Sequence, residues 1–295
     1  MSFEEYMNEE LALEFLGQHL YKGSLVLFLG AGSSSGMCLP EWGNLVNGLR
    51  KSVGLGQIDP LSDSQKLQLA VDEVKDRCKP LGNYLSLLKN SLYEGVTLNS
   101  SLLKNDLLIA LSALLMGSKR GSVHNVVTLN FDSTLEWVLK TYGFAVRIVY
   151  RLPALKGDED VCIYHPHGFL PHPSLNELSD SENIILSFDE VNLRLGDIND
   201  PWNQVMRHIS RSSVFLFVGL SERTFHDPSI TPLLAATAKD LRGSRPVGIW
   251  ILNKEPSDRN VFLRNGVIPL VMDSNTNVAN FLLRVCQNVA PPFEI

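Results

Sequence analysis

Cysteine is scarce in this sequence and is never clustered. The chain of 295 residues contains Cys38, Cys78, Cys162 and Cys286, and no two of them form a C-x-x-C pair. Because a zinc ribbon needs such pairs, the spacing excludes one. Isolated cysteines without a disulfide framework also favour a reducing compartment.

Long apolar runs and a basic leader are missing as well. No stretch of the sequence stays apolar for the length that a membrane-spanning helix needs. The N-terminus, MSFEEYMNEELALEFLGQHL, is acidic and amphipathic, so it does not resemble a signal peptide. We therefore expect a cytoplasmic protein without direct membrane contact.

Basic charge is also low. Lys and Arg total 26 against 32 Asp and Glu, the formal net charge is −6, and the sequence has no basic cluster. A protein that grips nucleic acid normally carries such a cluster, so nucleic acid is not expected as the primary ligand. The hydrophobic share of 44% is ordinary for a globular protein of one large domain or two modest ones.

Short apolar runs alternate with amphipathic segments along the chain. This alternation predicts an α/β fold, with a Rossmann-like parallel sheet, helices on both faces and an inserted smaller helical module. The first predicted strand begins at Leu25. The later predicted strands cover 122–130, 144–150, 160–165, 212–220, 245–253 and 266–273. The predicted helices include 5–20, 105–116, 132–142, 228–241 and 277–287.

We predict a single domain over 1–295, built from a core and a module. The core covers about 23–42, 120–170 and 212–290, and the helical module about 43–110 and 151–211. Open α/β sheets bind ligands outside the carboxyl ends of their strands. The residues that follow each strand are therefore the candidates for chemistry.

The first strand is followed by GAGSSSG, which starts at Gly30. Glycines let an anion approach the backbone, and amides near a helix start bind phosphate. The spacing is not G-x-G-x-x-G, and no acidic residue ends a second strand roughly 20 residues later, as a dehydrogenase would need. A tight strand-to-helix turn without a ligand is the structural alternative.

Polar residues follow the next predicted strands. Asn130 and Asp132 come after the second, with helix capping as the alternative for Asp132. His165 and His167 follow the strand at 160–165, and no further ligands at metal-binding spacing accompany them. A loop histidine without a role is the alternative there. Two later strand ends add three more candidates, Gly219, Ser221 and Asn253.

Taken in order, these motifs resemble the sirtuins. GAG, LPEW, TLNFD, HG after a strand, G-x-S after a strand and a strand ending in Asn occur here in the sirtuin order, over about 23–287. The resemblance implies NAD as ligand, with its pyrophosphate at Gly30, Ala31, Gly32 and Ser33. It further implies that Asn130 and Asp132 face the nicotinamide ribose and that His167 is the catalytic histidine. Gly219 and Ser221 match the adenosine side, and Asn253 matches a ribose contact.

The sequence resembles bacterial sirtuin-like domains more than the deacetylases. It lacks cysteines for the deacetylases' zinc module, and LPEW replaces their Pro-Asp-Phe-Arg type segment. The resemblance therefore implies an NAD+ hydrolase that releases nicotinamide and ADP-ribose, with NAD as substrate and no metal, acting as an antiphage effector. The alternatives are a protein deacylase or ADP-ribosyltransferase, and a non-catalytic module that senses NAD or ADP-ribose.

The chemistry of that reaction suits the candidate residues. Nicotinamide is a good leaving group, so the enzyme mainly needs position, a nucleophile and a proton acceptor. His167 is a candidate general base, Asn130 a candidate to hold water or ribose hydroxyls, and Asp132 a candidate partner for a hydroxyl or the developing cation. Because such an enzyme must be restrained, we expect a homo-oligomer or a partner such as a HerA-like ATPase or a STAND-type sensor.

Overall fold

A computed structural model of the chain describes residues 3–34, 36–79, 83–116, 121–154, 157–175, 184–195, 197, 199–227 and 230–288. It confirms the predicted α/β fold class, because seven parallel strands form one sheet in the order β3-β4-β2-β1-β5-β6-β7. The strands are β1 Leu25–Leu29, β2 Asn125–Thr128, β3 Val146–Val149, β4 Val161–Tyr164, β5 Val214–Val218, β6 Gly248–Leu252 and β7 Val267–Val271.

Helices surround this sheet and occupy the long excursion between β1 and β2. They are α1 Glu9–Tyr21, α2 Trp42–Ser52, α3 Ser64–Cys78, α4 Tyr84–Tyr93, α5 Asp106–Leu115, α6 Thr134–Thr141, α7 Phe188–Glu190, α8 Pro201–Ser212, α9 Glu222–Phe225, α10 Thr231–Leu241, α11 Arg259–Arg264 and α12 Asn275–Asn288. A 3-10 helix, Phe3–Met7, precedes α1. Asn8 separates the two, and its side chain caps α1 by accepting from two backbone N–H groups. The predicted helix 228–241 is observed from Thr231, and residues 228 and 229 lie outside the described residues.

The central strand is buried on both faces. All five residues of β1 are buried, with alternate side chains pointing to opposite layers. Leu25, Leu27 and Leu29 pack in the layer that contains α1, α5 and α12. Val26 and Phe28 pack in the layer that contains α8 and α10. A continuous apolar run in the sequence thus reflects burial on both sides of a parallel strand.

A third cluster forms the helical module. It joins buried side chains of α2, α3 and α4 to Phe131, Leu170 and Ile184. The helices α5 and α8 instead pack on the two faces of the sheet, although half of α5 and nearly all of α8 lie within the ranges predicted for the module. No helix in the described part of the chain has the length and hydropathy needed to span a bilayer.

One half-buried histidine gives the fold a testable pH dependence. Burial in α1, with help from the charges of Arg245 and Lys22, lowers the pKa of His19 from 6.5 to about 4, and its Nδ1 lies 2.8 Å from Ser24 Oγ. Between these two pKa values the unfolded chain binds a proton that the folded chain rejects. The free energy of unfolding is therefore expected to fall as the pH drops from 6.5 towards about 4.

Replacement of His19 by Gln tests this expectation. Urea unfolding of both proteins at about pH 7.5 and about pH 5 should show a smaller loss of stability in the variant, because one proton-linked group is removed. Equal losses in wild type and variant would show that other groups control the acid sensitivity.

Candidate functional site

Four neighbouring strands bring most of the predicted site residues to one edge of the sheet. In the order β4, β2, β1 and β5, their carboxyl ends are followed within two residues by His165, Asn130, Gly30 and Gly219. Parallel strands place their carboxyl ends on the same side, so residues far apart in sequence converge here. The convergence predicted from the strand ends is therefore present.

The turn after β1 packs tightly against the turn after β5. The N–H of Gly30 donates to Val218 O at 3.0 Å, and the N–H of Gly32 donates to Gly219 O at 2.8 Å. Gly219 has a φ of +72°, and a Cβ there would lie 2.1 Å from the N of Ser33. The glycines are thus required by the close approach of two backbones.

This packing bears on the predicted pyrophosphate contact. The amides of Gly30 and Gly32 donate to the turn after β5, as described above. The N–H of Ser33 donates to Gly30 O at 2.9 Å, and the Oγ of Ser33 donates to the same oxygen at 2.7 Å. These amides are therefore already used within the protein. The contact between Gly30–Ser33 and a pyrophosphate stays a prediction, and in this arrangement it falls to the amide of Ala31.

Asn130 is fixed by hydrogen bonds at its main chain and its side chain. Its N–H donates to Thr128 Oγ1 at 3.1 Å. Its Nδ2 donates to Gly30 O at 3.2 Å and lies 3.3 Å from Ser34 Oγ and 3.4 Å from Ser33 Oγ. The carboxamide is therefore held against the glycine turn, where a ligand at the strand ends would meet it.

Asp132 is buried two residues further along. Its Oδ1 accepts from the N–H of Thr134, the first residue of α6, at 2.9 Å. This bond stabilises the start of the helix, which is the structural role that the sequence also allowed. Burial raises the pKa of Asp132, and the nearby carboxylate of Glu136 adds to this shift, whereas the bond from Thr134 opposes it.

His167 follows β4, the strand that pairs with β2. Its Nε2 is buried and has no hydrogen-bond partner among the described residues. Burial lowers the pKa of His167, and the charge of Asp227 only partly offsets that effect. The main chain is anchored, since His167 O accepts from Ile185 N–H at 2.8 Å. A neutral imidazole with a free nitrogen can accept a proton or a ligand hydrogen bond.

Two crevices open at these strand ends. We call the first the Asn130 crevice; its empty volume is about 280 Å³ including open solvent, and it is lined by Leu29, Ser33, Ser34, Leu108, Leu111, Thr128, Asn130, Asp132, Leu135 and Glu136. The second, the His167 crevice, measures about 300 Å³ and is lined by Phe28, Leu129, Pro166, His167, Trp202, Asn203, Met206, Ile230 and Leu233. Because Leu29 and Phe28 belong to opposite layers, the two crevices lie on opposite faces of the sheet.

Comparison with known proteins adds one observation. The family model described as "SIR2-like domain" matches residues 124–269. We call residues 124–269 the SIR2-like segment, after the family to which they are similar. The SIR2-like segment includes Asn130, Asp132 and His167, but the glycine turn after β1 lies outside it.

A solved structure is also similar. It is described as "Structural Basis for the Mechanism and Regulation of Sir2 Enzymes", shares 13% sequence identity, and has a TM-score of 0.48. The comparison covers 94% of this chain and 96% of that chain. Comparison with curated proteins gives no match.

The remaining predicted residues of the SIR2-like segment lie further along the same edge. Ser221 is exposed, occupies the N-cap of α9, and its Oγ lies 3.3 Å from Thr224 Oγ1. Asn253 is exposed directly after β6, the neighbour of β5. Both stay predicted ligand contacts, and neither lines the two crevices described above.

Sequence reasoning missed a buried pair in the SIR2-like segment. His165 Nε2 lies 2.8 Å from Glu136 Oε1, and His165 Nδ1 lies 3.0 Å from Asn130 O. His165 was set aside because the resemblance assigns the catalytic role to His167. The available signal was Glu136, an acidic residue on the same helix as the apolar Leu135, Val138 and Leu139.

Potential metal ligands are not clustered in the described part of the chain. Over the described ranges, no group of three or more His, Cys, Asp or Glu side chains is arranged to hold a metal ion. None of the four cysteines forms a disulfide, and Cys38 alone among them is exposed.

Proposed function

We propose that the chain is an NAD+ hydrolase that breaks the bond between nicotinamide and ribose, releasing nicotinamide and ADP-ribose. The observation that carries the proposal is the buried, unpartnered Nε2 of His167 on a strand end next to that of Asn130. A neutral histidine with a lowered pKa is suited to accept the proton of an attacking water. The SIR2-like match over 124–269 supports NAD as the substrate.

The size of the crevices indicates how NAD would lie. Each volume includes open solvent, so neither crevice by itself encloses a dinucleotide. NAD therefore has to extend across the ends of β2 and β1, from one crevice towards the other. In this arrangement the carboxamide of Asn130 stands between the two parts of the ligand.

Three side chains have separate roles in the proposed reaction. His167 takes a proton from water at its Nε2, and Asn130 orients the ribose hydroxyls or that water through its fixed carboxamide. Asp132, in the Asn130 crevice, accepts a ribose hydroxyl bond or faces the positive charge that develops on the sugar. The hydrophobic lining of the His167 crevice limits access of bulk water.

The test is nicotinamide release from NAD by the purified chain, measured by chromatography with and without an acetylated peptide. Release without peptide is the expected result. Release only with peptide would replace the proposal by a protein deacylase or ADP-ribosyltransferase. Binding of NAD without any release, even at high enzyme concentration, would favour a sensing module instead.

We further propose that the enzyme is an antiphage effector that depletes NAD, controlled by self-assembly or by a partner ATPase or sensor. This role is supported by the resemblance to bacterial sirtuin-like defence proteins. Expression in a bacterial host with and without phage challenge tests it. Cellular NAD should fall on infection, and unchanged NAD in infected cells would contradict the proposed role.

A further inference from the structure

The buried pair formed by Glu136 and His165 contacts the main chain of Asn130. Both side chains are almost completely buried, with 2% exposure for Glu136 and none for His165. The pair connects α6 to the end of β4, and its third member is the main-chain oxygen of Asn130 at the end of β2. The ring of His165 also packs edge-on against Phe169, with ring centroids 4.8 Å apart.

The chemistry of these atoms fixes the position of a proton. A carbonyl oxygen only accepts hydrogen bonds, so the Nδ1 of His165 carries the hydrogen that it donates to Asn130 O. The neutral ring then has a bare lone pair on Nε2, which faces Glu136 Oε1 at 2.8 Å. That contact is a hydrogen bond only when a proton lies between the two atoms. The pair holds this proton either as imidazolium and carboxylate or as imidazole and carboxylic acid.

We infer that this protonated Glu136–His165 pair is a positioning element for Asn130 and so for the proposed NAD site. The inference rests on the proposed function, because the consequence it names is the rate of NAD cleavage. Asn130 is held at its N–H by Thr128 and at its carboxamide by the glycine turn. The bond from His165 to its carbonyl completes the set, so the peptide that follows Asn130 is fixed as well.

Other ionisable groups face the same cluster. Asp132 lies close enough to both members for Glu136 to raise its pKa and His165 to lower it. Tyr93 of α4 donates to Leu170 O at 2.5 Å and accepts from Ser133 N–H at 3.0 Å. Burial and the charges of Asp132 and Glu136 raise its pKa, so it stays a neutral donor.

Two variants of Glu136 separate positioning from packing. In Glu136→Gln, the amide N–H can donate to the Nε2 of His165, so the bond to Asn130 O survives without an ionisable proton. In Glu136→Leu, an apolar side chain of similar size leaves Nε2 without a partner. We expect the Leu variant to lose about tenfold in kcat with little change in KM, and the Gln variant to stay within about threefold of wild type.

The split between kcat and KM, together with rescue by Glu136→Gln, provides a readout that a purely structural role would not change. A folded Leu variant with wild-type kcat would overturn the inference. A folded Gln variant as slow as the Leu variant would do the same.

An activity-free measurement keeps the inference separate from the proposed function. Nitrogen NMR of histidine-labelled protein should show a protonated Nδ1 on His165 in wild type and in Glu136→Gln, with Nε2 bare in the Gln variant. A bare Nδ1 in wild type would overturn the inference, whatever the activity. Absence of NAD cleavage in wild type would instead overturn the proposed function. The role of the pair would then be decided by the NMR signals of the His165 ring and by the position of Asn130 in a crystal structure of the Leu variant.

Discussion

His167→Ala is expected to lower kcat/KM for NAD cleavage by ~10²–10⁴-fold, the usual contribution of a positioned acid–base group. The same change should cost little free energy of unfolding. The Nε2 of His167 is buried without a partner among the described residues, so its removal relieves a desolvation cost of roughly 1–3 kcal/mol. This relief offsets much of the packing lost with the ring.

His208→Ala is the matched control for this prediction. His208 is an exposed residue on α8, the helix that also lines the His167 crevice, and its change should leave both activity and stability unaltered. The comparison needs nicotinamide release and urea unfolding on all three proteins. A folded His167→Ala enzyme with wild-type turnover would remove His167 from the mechanism.

The pH dependence of the same reaction checks the proposed state of His167. Since burial lowers its pKa, the base form persists below the ordinary histidine range. The acid fall of kcat/KM should therefore lie below about pH 6.5, the value of an unperturbed histidine. A fall at higher pH would indicate that a different group takes the proton.

Gly219→Ala is the second change with a large expected effect. The backbone at Gly219 has a φ of +72°, and the new Cβ would lie 2.1 Å from the N of Ser33. The left-handed conformation alone costs a non-glycine residue on the order of 1–3 kcal/mol. The collision with backbone adds to this and pushes the turn after β1 away from β5. We expect a clear loss of stability and about 10²-fold lower activity, because displacement of the substrate by ~1 Å has that effect.

Gly143→Ala supplies the matched control. Gly143 has a φ of +90° after α6, but an added Cβ would meet nothing within 4 Å. It shares the conformational cost and lacks the collision, so the difference between the variants isolates the contact between the two turns. Equal stability and equal activity in the two variants would show that this contact does not matter.

The strands and their polar ends could be predicted from sequence because burial on two faces leaves a plain signature. Runs such as Leu25–Leu29 are continuously apolar, and the residue types change abruptly where the strand ends. The packing of α5 was beyond such reasoning. Seven of its ten residues are buried, so its pattern does not tell the sheet surface from the helical module.

The candidate site could be predicted by position but not in its connections. HPHG places two histidines after β4, and sequence alone cannot show that His165 points to Glu136 while His167 points to the opposite crevice. Likewise, GAG indicates a close backbone approach, but the approaching group was unknown. The structure shows that it includes the turn at Gly219, nearly 190 residues later in the chain. Both connections depend on tertiary contacts that leave no local trace.

The pairing of the central strand also bears on when the fold can form during synthesis. β1 pairs Leu29 with Thr128 on one side and Leu25 with Val214 on the other. Contacts between such distant residues close large loops, and they form late and slowly. A nascent chain that ends before β5 lacks the partner of its own glycine turn. Under the proposed function, the enzyme therefore stays inactive at least until β5, which ends about three quarters of the way along the chain, has left the ribosome and folded.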